Sequence, residues 1–249
     1  MIRILVDGEC KIYYVHKSLL LKIPWFSACL THPVREALTG EVKLPEDPPR
    51  AFKEIVNYIY HERLSFDLDA LCQLTVDLGE AEAWRTSARY EKFFLIIQVY
   101  ALTKKLAMEE LMNLTIDIIR KATDAQRFTN HHHLYLEAHL EEGDKLRALS
   151  LYCEAWYITI DGYPVWADGS KCRRWAAADT TTSMQMVLAA VTENLRKLRS
   201  TGKLRRPADE KFSCRWHTHV ETEACPRHVL PLPQTTRARR EPPAIASVP

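Results

Sequence analysis

Ile2, Ile4 and Val6 alternate with Arg3, Leu5 and Asp7, and Ile12 and Tyr14 resume the alternation after Asp7-Gly8. Period 2 on both sides of an Asp-Gly predicts a β-hairpin, because that dipeptide tolerates the positive φ angles of tight turns. Lys17 to Lys22 then reads as a short helix. Pro24 stops it, since the residue before a proline avoids the α region. Trp25 to Thr31 gives a second short helix with Phe26, Cys29 and Leu30 on one face, and Glu41 to Leu44 a short strand. Asp47-Pro48 supplies a helix start, a capping carboxylate followed by a proline where no amide donor is needed. Phe52, Ile55, Val56, Ile59 and Tyr60 follow at i, i+3, i+4, i+7 and i+8, one broad apolar helical face.

Leu64 to Tyr90 is irregular and partly polar, which predicts an insertion with helical pieces. Leu95, Val99, Leu102 and Leu106 restore a helical period, and Leu111, Leu114 and Ile118 mark another helix after a break near Ala107. Two helices with so short a link form an antiparallel pair. Further helices are expected after His131-His132-His133, over Lys145 to Tyr157, and over Met184 to Leu198. The last ends in a basic turn that suits the negative end of a helix dipole. From Pro226 onward, prolines and few bulky residues predict a disordered end.

Apolar residues make up 47% of the 249, enough for a real core, and charged residues 27%. The opening MIRILV is followed at once by Asp7, Glu9 and Lys11, unlike a signal-peptide core. No later stretch approaches the ~18 uninterrupted apolar residues of a membrane helix. A soluble intracellular chain, cytoplasmic or nuclear, is expected. The 7 cysteines are odd in number and scattered, which suits buried apolar residues or metal ligands better than disulfides. Arg196 to Arg240 carries 12 Lys and Arg against 4 Asp and Glu, while the first 195 residues carry 22 against 27. A basic tail thus follows a mildly acidic body. Such a tail either docks on something acidic or is simply solvated.

A hairpin, then V-H-K-S-L-L, a bulky P-W-F and A-C-L (Val15 to Leu30), resembles the BTB/POZ domain. Val42, Leu44, Pro45, Asp47, Ala51, Phe52 and the Y-I-Y ending at Tyr60 match that family's next strand and helix. Tyr100-Ala101-Leu102-Thr103-Lys104-Lys105-Leu106, with Met108 and Leu111, is similar to its closing helices. The resemblance covers residues 1–122, and the long insertion and C-terminal extension are like those of fungal BTB-domain proteins. The chain departs from the pattern in three places. It starts inside the first strand, Ile23 stands where a serine usually precedes the proline, and Thr103-Lys104 replaces an alanine–aspartate pair. Because BTB dimers often exchange N-terminal elements, these departures bear on dimerisation more than on fold.

The resemblance implies an α/β (α+β) fold of BTB/POZ type, a small sheet flanked by short helices, followed by a mostly helical C-terminal region. The expected organisation is a BTB domain at 1–122 with an insertion at about 65–90, a helical extension at 123–200, a basic Cys/His segment at 201–229 and a disordered tail at 230–249. His16, beginning a helix beside a strand, is expected to be structural, its ring satisfying buried backbone. Trp25 and Phe26 are expected as core or interface anchors. In BTB adaptors of cullin ubiquitin ligases an apolar-x-Glu segment after the second short helix contacts the cullin, and Val34-Arg35-Glu36 fits it. Three residues make a weak pattern, and a solvated loop is the simpler explanation of them.

Cys214, His217, His219, Cys225 and His228 crowd one short stretch, all of types that zinc prefers. Cys214, His217, His219 and Cys225 make one ligand set, and Cys214, His217, Cys225 and His228 another. Similar segments near the C-terminus of fungal BTB proteins favour the first. A structural zinc would fold a segment with little apolar surface of its own; the alternative is a basic tail with incidental cysteines. The histidines at 131–133 point in different directions on a helix and are expected to form its solvated start. The chain has no H-E-x-x-H, G-x-S-x-G, P-loop or G-x-G-x-x-G motif, and only 7 glycines, so an enzyme is not expected. The function expected is a protein–protein interaction module mediating self-association or partner binding. The alternatives are a cullin-ligase substrate adaptor and a nuclear regulator whose tail meets nucleic acid. The partners expected are proteins, a second copy or a different BTB chain, with a cullin as an alternative. Nucleic acid is not the expected partner, and neither is a membrane or a small-molecule substrate.

Overall fold

Alternation along β1 (Ile2–Val6) buries Ile2, Ile4 and Val6 and leaves Arg3 and Leu5 on the opposite face. The structure, a computed structural model, describes residues 1–7, 11–32, 35–65, 88–123, 126–161, 181–204, 206–209 and 214–220. β2 (Lys11–Val15) runs antiparallel to β1, with Ile4 opposite Tyr13 and Leu5 opposite Ile12. Asp7 opens the turn at φ 64°, a left-handed conformation that aspartate tolerates. Cross-strand neighbours share a face, so Tyr13 follows Ile4 inward, its ring 5.1 Å from Phe52. Ile12 and Tyr14 follow Leu5 and Arg3 outward and are 44% and 62% exposed.

Three short helices follow, α1 (Lys17–Leu20), α2 (Pro24–Thr31) and α3 (Arg35–Thr39). α2 buries Phe26 and Leu30, with Cys29 at the margin as its spacing predicts. Gly40, at φ 65°, turns the chain into β3 (Glu41–Leu44), which lies parallel to β1 and completes a sheet of order β2-β1-β3. α4 (Pro49–His61) buries Ala51, Phe52, Glu54 and Ile55. Asp47 does not cap it. Two successive prolines move the start by one residue, with Pro48 at the cap position and Pro49 inside the helix. The Asp47 carboxylate instead accepts a hydrogen bond from Lys105 Nζ at 2.6 Å.

α5 (Ala88–Lys105) and α6 (Glu109–Ala122) form the expected pair. α5 ends in a reversed turn in which Ala107 lies at φ 57°. The Ala107 and Met108 amides close back on the Lys104 and Thr103 carbonyls. Most of the expected insertion, residues 66–87, lies outside the described residues. Beyond α6 come α7 (Asn130–His139), α8 (Lys145–Asp161) and α9 (Thr181–Thr201), the last packed along α8. Single 3₁₀ turns at Pro207–Asp209 and Cys214–Trp216 complete the described chain. The fold class is therefore mixed α/β, a small three-stranded sheet with mostly helical content. Among the described residues no helix is long and apolar enough to cross a membrane.

Two apolar clusters share α5. Leu95, Val99 and Leu102, with Leu106 just past the helix end, join the cluster of the sheet, α1, α2 and α4 with Ile4, Leu20, Phe26, Leu44 and Phe52. Phe93, Ile96, Ile97 and Tyr100, on the other side of the same helix, face α6, α7 and α8, meeting Ile119, Phe128, Leu136 and Leu149. A fully buried side chain of this kind contributes about 1.5–3 kcal/mol, so both faces of α5 are heavily committed. The second cluster crosses residue 122, the end of the expected first domain, and joins the extension to the helices of that domain.

The histidines at 131–133 correct the expectation of a solvated helix start. His131 is exposed, but His132 and His133 are buried. The start of α7 lies under Phe93 and Phe128, whose rings stand 5.3 and 6.2 Å from that of His132. His132 replaces the usual glutamate of a capping box. Thr129 N–H donates to His132 Nδ1 at 3.0 Å, and the His132 amide donates to Thr129 Oγ1. A ring nitrogen that accepts is unprotonated, so His132 is neutral. Burial, with the neighbouring histidines adding to it, pushes His132 down to about 3, and burial pushes His133 down to about 4.

Both values lie below those of an unfolded histidine, so the unfolded chain takes up protons first. The stability contribution is complete above about pH 6.5 and falls as pH drops from there toward about 4 for His133 and about 3 for His132. Urea unfolding at pH 7 and pH 5 should differ by on the order of 4 kcal/mol for the two histidines together. His133→Leu should remove about half of that dependence. Equal stability at the two pH values would contradict the burial of these rings.

Candidate interaction surfaces and the Cys/His segment

Glu36 lies in the first turn of α3, partly buried, and Val34 lies outside the described residues. The Cys29 thiol of α2 is pushed up by burial and by the nearby charge of Glu36. Two residues on, Leu38 is 81% exposed, more than any other large apolar side chain described except Val220. α3 is five residues long and buries none of them. It is thus a short projecting turn between α2 and β3 that offers one acid and one leucine.

His16 is exposed, and its ring does not serve buried backbone as expected. At the surface, the hydroxyl of Tyr60, at the end of α4, accepts from the His16 amide at 3.2 Å and lies 2.6 Å from His16 Nδ1. The contact ties the start of α1 to α4. Phe26 is wholly buried, while Trp25 is partly buried with its ring 5.0 Å from Phe26, so both serve the core.

The Cys/His segment is not a solvated tail over its described length. α6 carries Glu109, Asn113, Asp117 and Arg120 on one polar stripe, and residues 207–209 and 214–220 lie along it in the opposite direction. Arg120 Nη1 donates to the carbonyls of Pro207 and Ala208 at 3.3 and 3.1 Å. His217 Nε2 lies 3.2 Å from Asp117 Oδ2. Asn113 reads the main chain of Thr218 from both sides: its Nδ2 donates to the carbonyl and its Oδ1 accepts from the amide, each at 2.9 Å. The Val220 amide donates to Glu109 Oε2 at 2.9 Å. Between these polar ties, Trp216 is buried in the second cluster.

The electrostatics follow from burial and pairing. Desolvation would raise the carboxyl of Asp117. The His217 hydrogen bond and charge, with Arg120 and Lys121, outweigh it and hold Asp117 below the usual carboxylate range. Asn113, Asp117 and Arg120 are all nearly inaccessible, at 3%, 7% and 4%, so the segment is what keeps them from water. The spacing of these polar residues at i, i+4 and i+7, beside the apolar period of Leu111, Leu114 and Ile118, is the sequence signal for a docked segment. It is weaker than the apolar period it interrupts.

For the expected zinc ligands, the structure brings His217 and His219 to a ring separation of 6.0 Å. Of Cys214 only the backbone is described, and Cys225 and His228 lie outside the described residues. Among the described residues no group of three or more His, Cys, Asp or Glu side chains is placed to hold a metal ion. His217 is held by protein, its Nε2 turned to Asp117. A metal would have to use the other ring nitrogen.

The docked segment also walls a cleft of about 310 Å³ with α8 and α9, lined in part by Lys145, Tyr152, Ala190, Arg215 and Trp216. The Arg215 guanidinium covers both rings, 4.7 Å from the Tyr152 centroid and 4.5 Å from that of Trp216. No protein-family model matches the chain, and no curated protein matches it at a significant level.

Asn113→Ala should cost about 1–3 kcal/mol, because it strips the Thr218 amide and carbonyl of their partner. Trp216→Ala should cost about 3–5 kcal/mol through the cavity it leaves. Limited proteolysis of either variant should cut first within residues 207–220. Unchanged urea midpoints in both would show that the segment does not bear on the fold.

Proposed function

We propose that this chain is a protein–protein interaction module of the BTB/POZ type, acting through self-association or partner binding and not as an enzyme. The observation that carries the reading is the order of elements, hairpin–α1–α2–α3–β3–α4 closed by a helical pair. The V-H-K-S-L-L…P-W-F run supplies Val15, Leu20, Ile23 and Phe26 to its core. The surfaces left over support the same reading. The outer face of the hairpin presents Ile12 and Tyr14, and α3 presents Leu38. Light scattering on the full-length chain over a wide concentration range, alone and with purified candidate partners, tests it. A chain that stays monomeric and engages no partner under any condition would remove the proposal.

A second reading, a cullin-ligase adaptor, is favoured by one observation, the projection of α3 with Glu36 and the exposed Leu38. On this reading Glu36→Ala weakens capture of a purified cullin at least tenfold, a loss of about 1.4 kcal/mol. Leu38→Asp does the same without shifting the thermal midpoint, since the leucine makes little contact with the fold. Capture unaffected by both substitutions would dismiss it.

A further inference from the structure

We infer that the free edge of β2 is where a second copy of this chain docks, with the two β2 strands pairing antiparallel about a two-fold axis at Tyr13. The inference rests on the self-association reading above and gives it a surface and a register.

The main-chain directions come first. The Arg3 amide donates to the Gly40 carbonyl and the Asp7 amide to the Leu44 carbonyl, each at 2.9 Å. Main-chain groups alternate sides along a strand, so Ile2, Ile4 and Val6 turn theirs toward β2. Their partners Val15, Tyr13 and Lys11 are therefore the residues of β2 whose polar groups are taken up inside the sheet. Ile12 and Tyr14 present their N–H and C=O groups outward. Among the described residues β2 pairs with β1 alone, and Ile12 and Tyr14 are 44% and 62% exposed.

A second copy fits because the strand is complementary to itself. With the axis at Tyr13, Ile12 lies opposite Tyr14 of the other copy and Tyr14 opposite its Ile12. These are the residues with outward-directed groups, so the seam closes with four main-chain hydrogen bonds. On the outer face it forms two pairs of an aromatic with a β-branched residue, a favourable cross-strand combination. Lys11 lies opposite Val15 of the other copy, so no like charges oppose across the seam. β2 reads Lys-Ile-Tyr-Tyr-Val, with no proline and an unbroken register against β1. Lys11, at its start, is the single protective feature on the strand, and such an edge is a template for pairing. The product is one six-stranded sheet with an isologous interface.

The test is sedimentation velocity on the full-length chain over a wide concentration range. It is run on the natural sequence, on Ile12→Lys/Tyr14→Lys and on Ile12→Glu/Tyr14→Glu. The natural chain should dimerise. Each charge variant should raise the dimer dissociation constant at least tenfold while keeping its circular dichroism and thermal midpoint. An equimolar mixture of the two variants should recover the dimer. A natural chain that is monomeric throughout overturns the inference, while binding of a different protein would leave the module reading intact. A natural dimer that both variants weaken less than twofold also overturns it, and leaves self-association through another face. Should the variants misfold, amide exchange on the natural chain decides. The Ile12 and Tyr14 amides should gain protection with concentration and the Tyr13 amide should not. Absence of that pattern overturns the inference.

Discussion

The structure depends on one helix that must be apolar on both sides. α5 stands between the sheet with its short helices and the α6–α7–α8 bundle, and it lends core residues to each. Leu95, Val99 and Leu102 serve the first cluster, and Phe93, Ile96, Ile97 and Tyr100 the second. A helix with one apolar face could close only one of these cores. Because α5 serves both, the N-terminal α/β unit and the helical extension stand or fall together, and a boundary near residue 122 marks a change of elements, not of cores.

The polar contacts at the end of α5 repeat the arrangement. Lys105 holds Asp47 on the α/β side at 2.6 Å, and Lys104 holds Asp144 on the extension side at 2.6 Å, with Glu141 at 2.7 Å. Burial works against the Lys104 ammonium, but its hydrogen bonds to the two carboxylates prevail and raise it above the ordinary lysine range. Both cations sit at the negative end of the helix dipole. Thr103, fully buried, donates its hydroxyl to the Tyr100 carbonyl. The Thr103-Lys104 pair, where the sequence leaves the pattern of the family it resembles, is thus where the extension is fastened.

Much of this fold was legible in the sequence because local rules and burial agreed. Alternation about Asp7-Gly8 located the hairpin, the 3.6-residue period located α4, α5 and α6, and Ala107 marked the reversal between the last two. The misreadings mostly involve polar side chains whose partners are far away in sequence, although the shift of the α4 start away from Asp47 is the local effect of Pro48-Pro49. Asp47 resembles a cap until Lys105, brought by α5, takes it. His132 and His133 resemble a solvated start until Phe93 and Phe128 cover them. The stripe Asn113–Asp117–Arg120, which the apolar period alone leaves unassigned, is covered by residues 207–209 and 214–220. Local pattern carries no information on such long-range pairings. It names the groups that need partners, not the partners.

The helical extension is thus a structural part of the fold, and on the proposed reading as an interaction module the outer hairpin face, the β2 edge and α3 are among the described surfaces open to partners. Hydrogen exchange read by mass spectrometry along a urea titration tests the shared-core account most directly. Peptides from β1 and β2 should lose protection in the same transition as peptides from α6 and α7, with coincident midpoints and slopes. Separate transitions for the two sets, with the sheet still protected after the bundle has opened, would contradict it.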